Sequence, residues 1–366
     1  MSFEPDLLYT EVEEDLRASV RNLLARRCDA AALIAVYDGD AGPISAVWRE
    51  LATDLGLAGL IVPEERGGAG ATAAVAGVVL EEIGRAAAPV PFLTSAVVAV
   101  TVLQGTDADG LLERTASGES TAALTVPFST SPYAEVPKVV VADGRPTGTV
   151  RSVAGAESAD VLLVPGDDGA LYAVEATDAT IEVVPSLDMT RVVADVTLSG
   201  ATGERISDDA DAAVRPGLVA GAALLASEQA GVARWCLDAT VAYLQQRRQF
   251  GRVVGGFQAI KHRLADLYVA VESGCATARY AAVSLAELGP DDPETAIATA
   301  VAASYCGDLA VLAGEEAVQL HGGIGMTWEH PAHVYLKRAK ADQIGLGTPG
   351  AHRAALADLV DLPATG

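Results

Sequence analysis

An α+β multidomain fold, with a helical first part, a β-barrel-like middle and a bundle of long helices at the end, follows from two changes of hydrophobic period along the 366-residue chain. Apolar residues recur three and four apart through residues 6–120, short Val-, Leu- and Thr-rich runs separated by turn residues fill about 122–206, and the helical spacing returns from about Asp208. The corresponding domains are expected at 1–121, 122–206 and 207–366.

The first part reads as helices such as Glu11–Arg27, Ile44–Leu55 and Ala73–Ala88. Between them Leu55–Thr72 (LGLAGLIVPEERGGAGAT) is a helix end followed by a Gly-rich turn, whose glycines either approach a ligand or turn the chain. In the middle part the runs Lys138–Ala142, Thr147–Val153, Val161–Pro165, Leu171–Val174, Thr180–Val184 and Val192–Leu198 are punctuated at Asp143-Gly144, Gly166–Gly169 and Pro185-Ser186. That spacing suits an antiparallel sheet or a small barrel. In the last part Ile260, Leu264, Leu267 and Val271 form one apolar stripe. Asp292-Pro293 supplies a capping carboxylate and a pre-set φ for a helix running to about Gln319.

Forty-nine acids against 25 Lys and Arg leave a formal charge of -24, which repels nucleic acid and anionic membrane surfaces. Neither is an expected partner. Within this acidic chain, Gln246–Arg263 carries Arg247, Arg248, Arg252, Lys261 and Arg263 and no acid, an island suited to a small phosphorylated ligand. The N-terminal residues lack a basic region followed by an apolar one, and no apolar run reaches the roughly 20 residues of a membrane span, so a cytoplasmic protein is expected. Cys28, Cys236, Cys275 and Cys306 are far apart and read as buried thiols. Glu329-His330-Pro331-Ala332-His333 lacks the H-E-x-x-H order of a zinc helix and reads as a helix start lining an interface; Lys337, Arg338 and Lys340 read as a solvated or inter-subunit basic face.

Two segments, Tyr243–Leu267 (YLQQRRQFGRVVGGFQAIKHRLADL) and Gln319–Lys340 (QLHGGIGMTWEHPAHVYLKRAK), together with LGLAGLIVPEERGGAG and the helix–sheet–helix order, resemble the acyl-CoA dehydrogenase family over the whole chain. The resemblance implies that fold, with a C-terminal four-helix bundle, bound FAD, and oxidation of the Cα–Cβ bond of an acyl-CoA thioester with electrons passed to an electron-transferring flavoprotein. Such chemistry needs a carboxylate base for the α-proton, a flavin to accept the β-hydride and donors that polarise the thioester carbonyl.

The resemblance assigns Arg247 and Phe250 to positions that reach FAD pyrophosphate across a subunit interface, with Gln249 in place of a hydroxyl residue. It places Gln258, Gln319, Gly322 and Gly323 near the diphosphate and adenosine. Where the family has a T-E-P-G-x-G-S-D-like loop and a W-I-T strand against the flavin ring, this chain has Thr125–Thr130 (TVPFST) and Ser152-Val153-Ala154, so a normal ring site is not expected. The catalytic carboxylate is missing from both usual places: Leu346 stands at the Glu of a Y-E-G-T sequence, and Gly221, beside Ala222, stands at the other. Glu228, seven residues after Gly221, is a weak candidate for a relocated base, although a Glu in an apolar helix more often pairs with an Arg or Lys. The expected role is the non-catalytic subunit of a hetero-oligomer, a heterotetramer resembling actinobacterial steroid-CoA dehydrogenases, whose catalytic partner holds the base and the flavin ring. The alternatives are an independently active homo-oligomer with a relocated base and a pseudoenzyme scaffold.

Overall fold

The computed structural model describes residues 3–44 and 46–363. The N-terminal helices are α1 (Glu11–Arg27), α2 (Ala30–Tyr37), the short α3 (Val47–Arg49), α4 (Ala73–Arg85), α5 (Val100–Gln104) and α6 (Asp109–Ala116). Helix α1 begins where a capping box forms, Thr10 Oγ1 accepting from Glu13 N and Glu13 Oε2 from Thr10 N. The helix expected over Ile44–Leu55 is interrupted: a 3₁₀ turn (Gly42–Ile44) precedes α3, which passes into a π turn at Glu50–Asp54, and Ser45 lies outside the described residues. Thr53 Oγ1 donates to Arg49 O, and Leu55 N bonds Glu50 O five residues back, so side chain and backbone compete for the carbonyls of this turn. Helix α4 stops at Arg85 rather than Ala88 because Ala87 turns to φ 43 and Ala88 precedes proline. In the Gly-rich turn the backbone folds on itself: a Cβ at Gly68 would lie 2.1 Å from Val62 O, which favours the turning role.

Eight strands form the middle part: β1 (Ala122–Leu124), β2 (Val140–Ala142), β3 (Arg145–Ala154), β4 (Val161–Pro165), β5 (Leu171–Glu175), β6 (Ala179–Val184), β7 (Val193–Ser199) and β8 (Gly203–Ser207). They make two four-stranded sheets, β1-β4-β5-β8 and β2-β3-β7-β6, antiparallel except for the parallel β1–β4 pair. Leu162, Val164, Tyr172 and Val174 of one sheet share a core with Val150, Val153, Val196 and Leu198 of the other. The sheets remain open rather than closing into a barrel. Among the described residues a single isolated bridge, Val139 to Gly166, joins their edges, and three-residue β1 and β2 are too short to close more.

The C-terminal part holds α7 (Ala210–Gln246), the two-stranded β9/β10 hairpin (Arg248–Gln249 and Arg252–Val253), α8 (Gln258–Leu288), α9 (Pro293–His321), α10 (Ala332–Ile344) and α11 (Pro349–Leu359). Asp292 caps α9 by accepting from Glu294 N, with Pro293 at the first helical position. Helix α7 is apolar on all sides because α4 covers one face while α8 and α9 cover the others. The α4–α7 crossing is a backbone contact, since a Cβ at Gly231 would lie 2.0 Å from Glu81 O and one at Gly84 2.0 Å from Glu228 O. Pro293–Met326 is long and apolar enough to cross a membrane, yet two thirds of its most apolar stretch is buried in the bundle (67%).

Candidate functional site

Three segments meet where the middle part faces α7. The loop after β1 brings Phe128, whose N–H donates to Ser152 O in a β3 bulge, and whose carbonyl accepts from Leu346 N in the turn between α10 and α11. Both partners sit at positive φ, Ser152 at 56° and Leu346 at 54°. Leu346 O is bonded in turn by His352 Nε2 at 3.1 Å. From α7, a Cβ at Gly221 would lie 2.9 Å from Leu346 Cδ1 and 2.7 Å from Val98 Cγ2. The two positions singled out for a missing base, 125 residues apart, therefore touch one another.

Beside this contact, on the Leu346 side, is a cavity of about 30 Å³ lined chiefly by Leu93, Val98, Val126, Phe128, Leu218 and Leu346. A site for an acyl chain or a flavin ring needs several hundred Å³, roughly 300 or more. The Phe128 ring takes up the rest, packed so closely on the turn that a Cβ at Gly345 would fall 2.5 Å from it. Thr94 is the sole side chain of this lining with a polar group, and a hydroxyl of ordinary acidity is no general base. Thr125 is fully buried in the same loop with its hydroxyl unpaired.

Behind this crevice lies a buried ion cluster that the sequence reading missed. Arg191, on the turn before β7, donates from Nη2 to Glu228 Oε1 at 2.5 Å and from Nε to Asp342 Oδ1 at 3.0 Å. Arg338 donates from Nε to Glu228 Oε1 at 2.8 Å, from Nη1 to Thr190 Oγ1 and Asp188 Oδ2, and from Nη2 to Ala88 O. Two expectations are corrected here. Arg338 is not on a basic face: it shares an interior helical face with Tyr335 and Asp342, while Lys340 is partly exposed and pairs with Glu315. Glu228 is not placed as a base: it is 1% exposed and points to two guanidiniums, not to the Gly221–Leu346 contact. Burial works against its charge, but Arg191 and Arg338 outweigh that and hold its carboxyl below the usual range, which makes it a poor proton acceptor.

The other candidate residues collect at one end of the bundle. Arg247 ends α7, Gln249 lies in β9, Phe250 forms the hairpin tip at φ 52°, and Gln258 opens α8. Gln319 is exposed in the last turn of α9, followed by the exposed Gly322 and Gly323. Tyr243 and His321, with ring centroids 4.6 Å apart, tie the ends of α7 and α9 together, and His330 packs 4.2 Å from His321. Burial and the neighbouring His321 and His333 push the His330 imidazole down to about 4, so this stack is neutral at physiological pH. Helix α8 begins without a side-chain cap or an acid in its first turn, leaving its N–H groups free for an anion beside the exposed Lys261, while Arg263 is paired with Glu316 at 2.6 Å. Phe250 is 90% exposed, and Arg252 stacks over Phe257 at 3.7 Å, so an arm with almost no cover of its own presents the basic island outward.

Among the described residues no group of three metal-ligating side chains converges. Cys28, Cys236 and Cys306 are buried and Cys275 is partly so, all as free thiols.

Comparison with known proteins bears on both ends of this arrangement. Residues 10–119 match the family description "Acyl-CoA dehydrogenase, N-terminal domain" and residues 212–360 match "Acyl-CoA dehydrogenase, C-terminal domain". The chain is 35% identical over 345 residues to acyl-CoA dehydrogenase IpdE2 of Mycolicibacterium smegmatis, covering 93% of this chain and 96% of that one. It is 37% identical over 326 residues to acyl-CoA dehydrogenase FadE34 of Mycobacterium tuberculosis, covering 85% of this chain but 42% of that relative. Among solved structures it superposes on a chain of the ChsE4–ChsE5 complex of Mycobacterium tuberculosis with a TM-score of 0.86, at 26% identity over 99% of this chain and 100% of the other. It superposes on a chain of the Tcur3481–Tcur3483 steroid ACAD, a glycine-to-alanine variant, with a TM-score of 0.82, at 29% identity over 96% and 98%.

Proposed function

This chain belongs to the acyl-CoA dehydrogenase family, and we propose that it is the non-catalytic subunit of a hetero-oligomeric, FAD-dependent member acting on an acyl-CoA with a steroid-derived acyl group. A catalytic partner subunit supplies the base and the flavin ring pocket, this chain clamps the ADP end of FAD, and an electron-transferring flavoprotein takes the electrons. The complex works in the cytoplasm.

The observation that carries the reading is the contact of Leu346 with the Gly221 position, beside a cavity of about 30 Å³. Neither residue can take an α-proton, and no carboxylate lines the crevice beside them. The flavin ring does not fit the chain's own crevice, because Phe128 and Leu346 fill it.

The ADP end fits. Arg247 offers charge-assisted donors to a diphosphate, Gln258 and the free N–H groups of α8 add neutral ones, and Gly322 and Gly323 have open space where a Cβ would otherwise stand. Gln319 faces the same end, and Gln249 and Phe250 project on an arm long enough to lie against another subunit. Bound FAD would supply the hydride acceptor; these residues would bind and orient its nucleotide portion.

Relatives favour division of labour. The superposed ChsE4–ChsE5 and Tcur3481–Tcur3483 structures pair two different chains, and the unmatched part of FadE34 is long enough to hold a second chain of this size. A buried, twice-paired Glu228 weakens the independently active alternative.

The test is expression of this chain alone and together with its neighbouring gene product, followed by flavin absorbance and acyl-CoA oxidation. The chain alone should hold little flavin and show no turnover, and the pair should show both. Full occupancy and turnover by the chain alone would overturn the assignment.

A further inference from the structure

The buried cluster is out of charge balance. Two guanidiniums, Arg191 and Arg338, face three carboxylates, Asp188, Glu228 and Asp342, and all five are buried. Among the described residues no third cation stands within ion-pair distance of these carboxylates; Lys337, over the Tyr37 ring, is further off and acts on Asp188, and an unpaired buried carboxylate is strongly disfavoured.

Asp188 is not the deficient member. Its Oδ1 accepts from Thr190 N at 2.8 Å, Thr190 Oγ1 at 2.6 Å and Tyr37 OH at 3.1 Å, and its Oδ2 lies 3.3 Å from Arg338 Nη1. The deficit falls on the other two. Glu228 Oε2 and Asp342 Oδ2 are buried and accept no hydrogen bond, while their sister oxygens are both held by the Arg191 guanidinium. Two carboxylates fixed on one guanidinium, each with an orphan oxygen, lack one proton between them.

We propose that the Glu228–Asp342 pair is a buried proton-binding site, with the proton carried on Asp342 Oδ2. Asp342 is the holder because its Oδ2 meets Arg338 Nε at 3.8 Å, too far for a hydrogen bond, whereas Glu228 Oε1 takes both guanidiniums. The titration directions agree: burial, opposed by Arg191 and Arg338 and helped by Glu228 and Asp188, pushes Asp342 up to about 7, while the two guanidiniums keep Glu228 low.

Other titratable groups face the cluster from every side. Tyr37 reaches it from α2 and Tyr335 and Lys337 from α10; Cys28 follows α1 and Glu157 lies after β3. Burial pushes the two tyrosine hydroxyls up and the Cys28 thiol to about 12, so these three stay neutral across the physiological range. Glu157, raised by burial, is the neighbour that a test must separate from Asp342.

Asp342 lies three residues before Gly345, and its carbonyl is held by Gln229 Nε2 at 2.9 Å. Loss of the proton leaves an unbalanced charge beneath the turn that presses Leu346 into the crevice. The site thereby makes closure of that turn sensitive to pH, firm when protonated and loosened as pH rises through neutrality. This inference does not depend on the subunit role proposed above.

Infrared spectroscopy of the intact chain tests it. A protonated carboxylic acid band is expected at about pH 6, fading by about pH 9, with the thermal midpoint falling by about 2 °C over the same interval. Asp342→Asn should abolish the band component and flatten the pH slope, whereas Glu157→Gln should leave both. Absence of the band in the wild-type chain at about pH 6, or an undiminished band in Asp342→Asn, would overturn the proposal. If the variant fails to fold, the wild-type chain made with carboxyl-labelled heavy-carbon aspartate decides, because the label shifts an aspartic acid band and leaves those of the buried Glu81 and of Glu157 in place.

Discussion

Restoring a carboxylate at position 346 should produce an unstable protein and no enzyme. Leu346 is 4% exposed and the crevice beside it is apolar but for the Thr94 hydroxyl, so Leu346→Glu exchanges a well-packed side chain for a carboxyl with no cation in that lining. The residue already sits at φ 54°, where Glu and Leu are equally disfavoured, and the substitution therefore isolates the side chain. Loss of part of the leucine burial is worth about 1 kcal/mol. Burying an unpaired neutral carboxyl adds roughly 2 kcal/mol, for a total near 3 kcal/mol at low pH. The new carboxyl, raised above its unfolded value by burial, binds its proton more tightly in the folded state. Its penalty must therefore grow as pH rises above the ordinary carboxylate range. Urea unfolding of Leu346→Glu and wild type at about pH 5 and about pH 8, alongside acyl-CoA oxidation with an artificial electron acceptor, checks both expectations. Wild-type stability at the higher pH, or any flavin-dependent turnover by the variant alone, would refute the closed-crevice argument.

Other substitutions separate structure from function. Glu228→Gln removes the charge shared by two buried guanidiniums and should cost about 3–5 kcal/mol in denaturant titration; loss of activity in the assembled enzyme at unchanged stability would instead revive the relocated base. Gly231→Ala drives a methyl group toward the Glu81 carbonyl and should destabilise the α4–α7 crossing by about 3 kcal/mol, read from the urea midpoint. Phe250→Ala touches almost nothing within the chain and should shift its stability by less than about 0.5 kcal/mol, while weakening flavin retention by the complex about tenfold in a dialysis assay.

The parts of the fold that could be read from sequence are those specified locally. Helix α1 runs over Glu11–Arg27 as its periodicity indicates, and Asp292-Pro293 starts α9 where a capping acid and a fixed φ require it. Strand β4 spans Val161–Pro165 as expected, since five consecutive buried residues there carry the signal. The failures are non-local. Nothing near Ala122 announces that β1 pairs in parallel with β4, and nothing near Gly221 announces contact with Leu346. Arg338 was hidden by its basic neighbours, although Val334, Tyr335, Ala339 and Asp342 mark a buried face at three- and four-residue spacing that includes it. Asp188 and Arg191 sit in a turn, where polar residues ordinarily face water and carry no signal of burial.

The central claim, that this chain clamps one end of a cofactor whose ring lies in another subunit, is tested most directly by counting flavins in the purified hetero-oligomer by native mass spectrometry. Half as many FAD molecules as chains is the expected result, with Arg247→Ala in this chain lowering that number. One FAD for every chain would contradict the account, because it would place a flavin ring in the crevice that Phe128 and Leu346 fill.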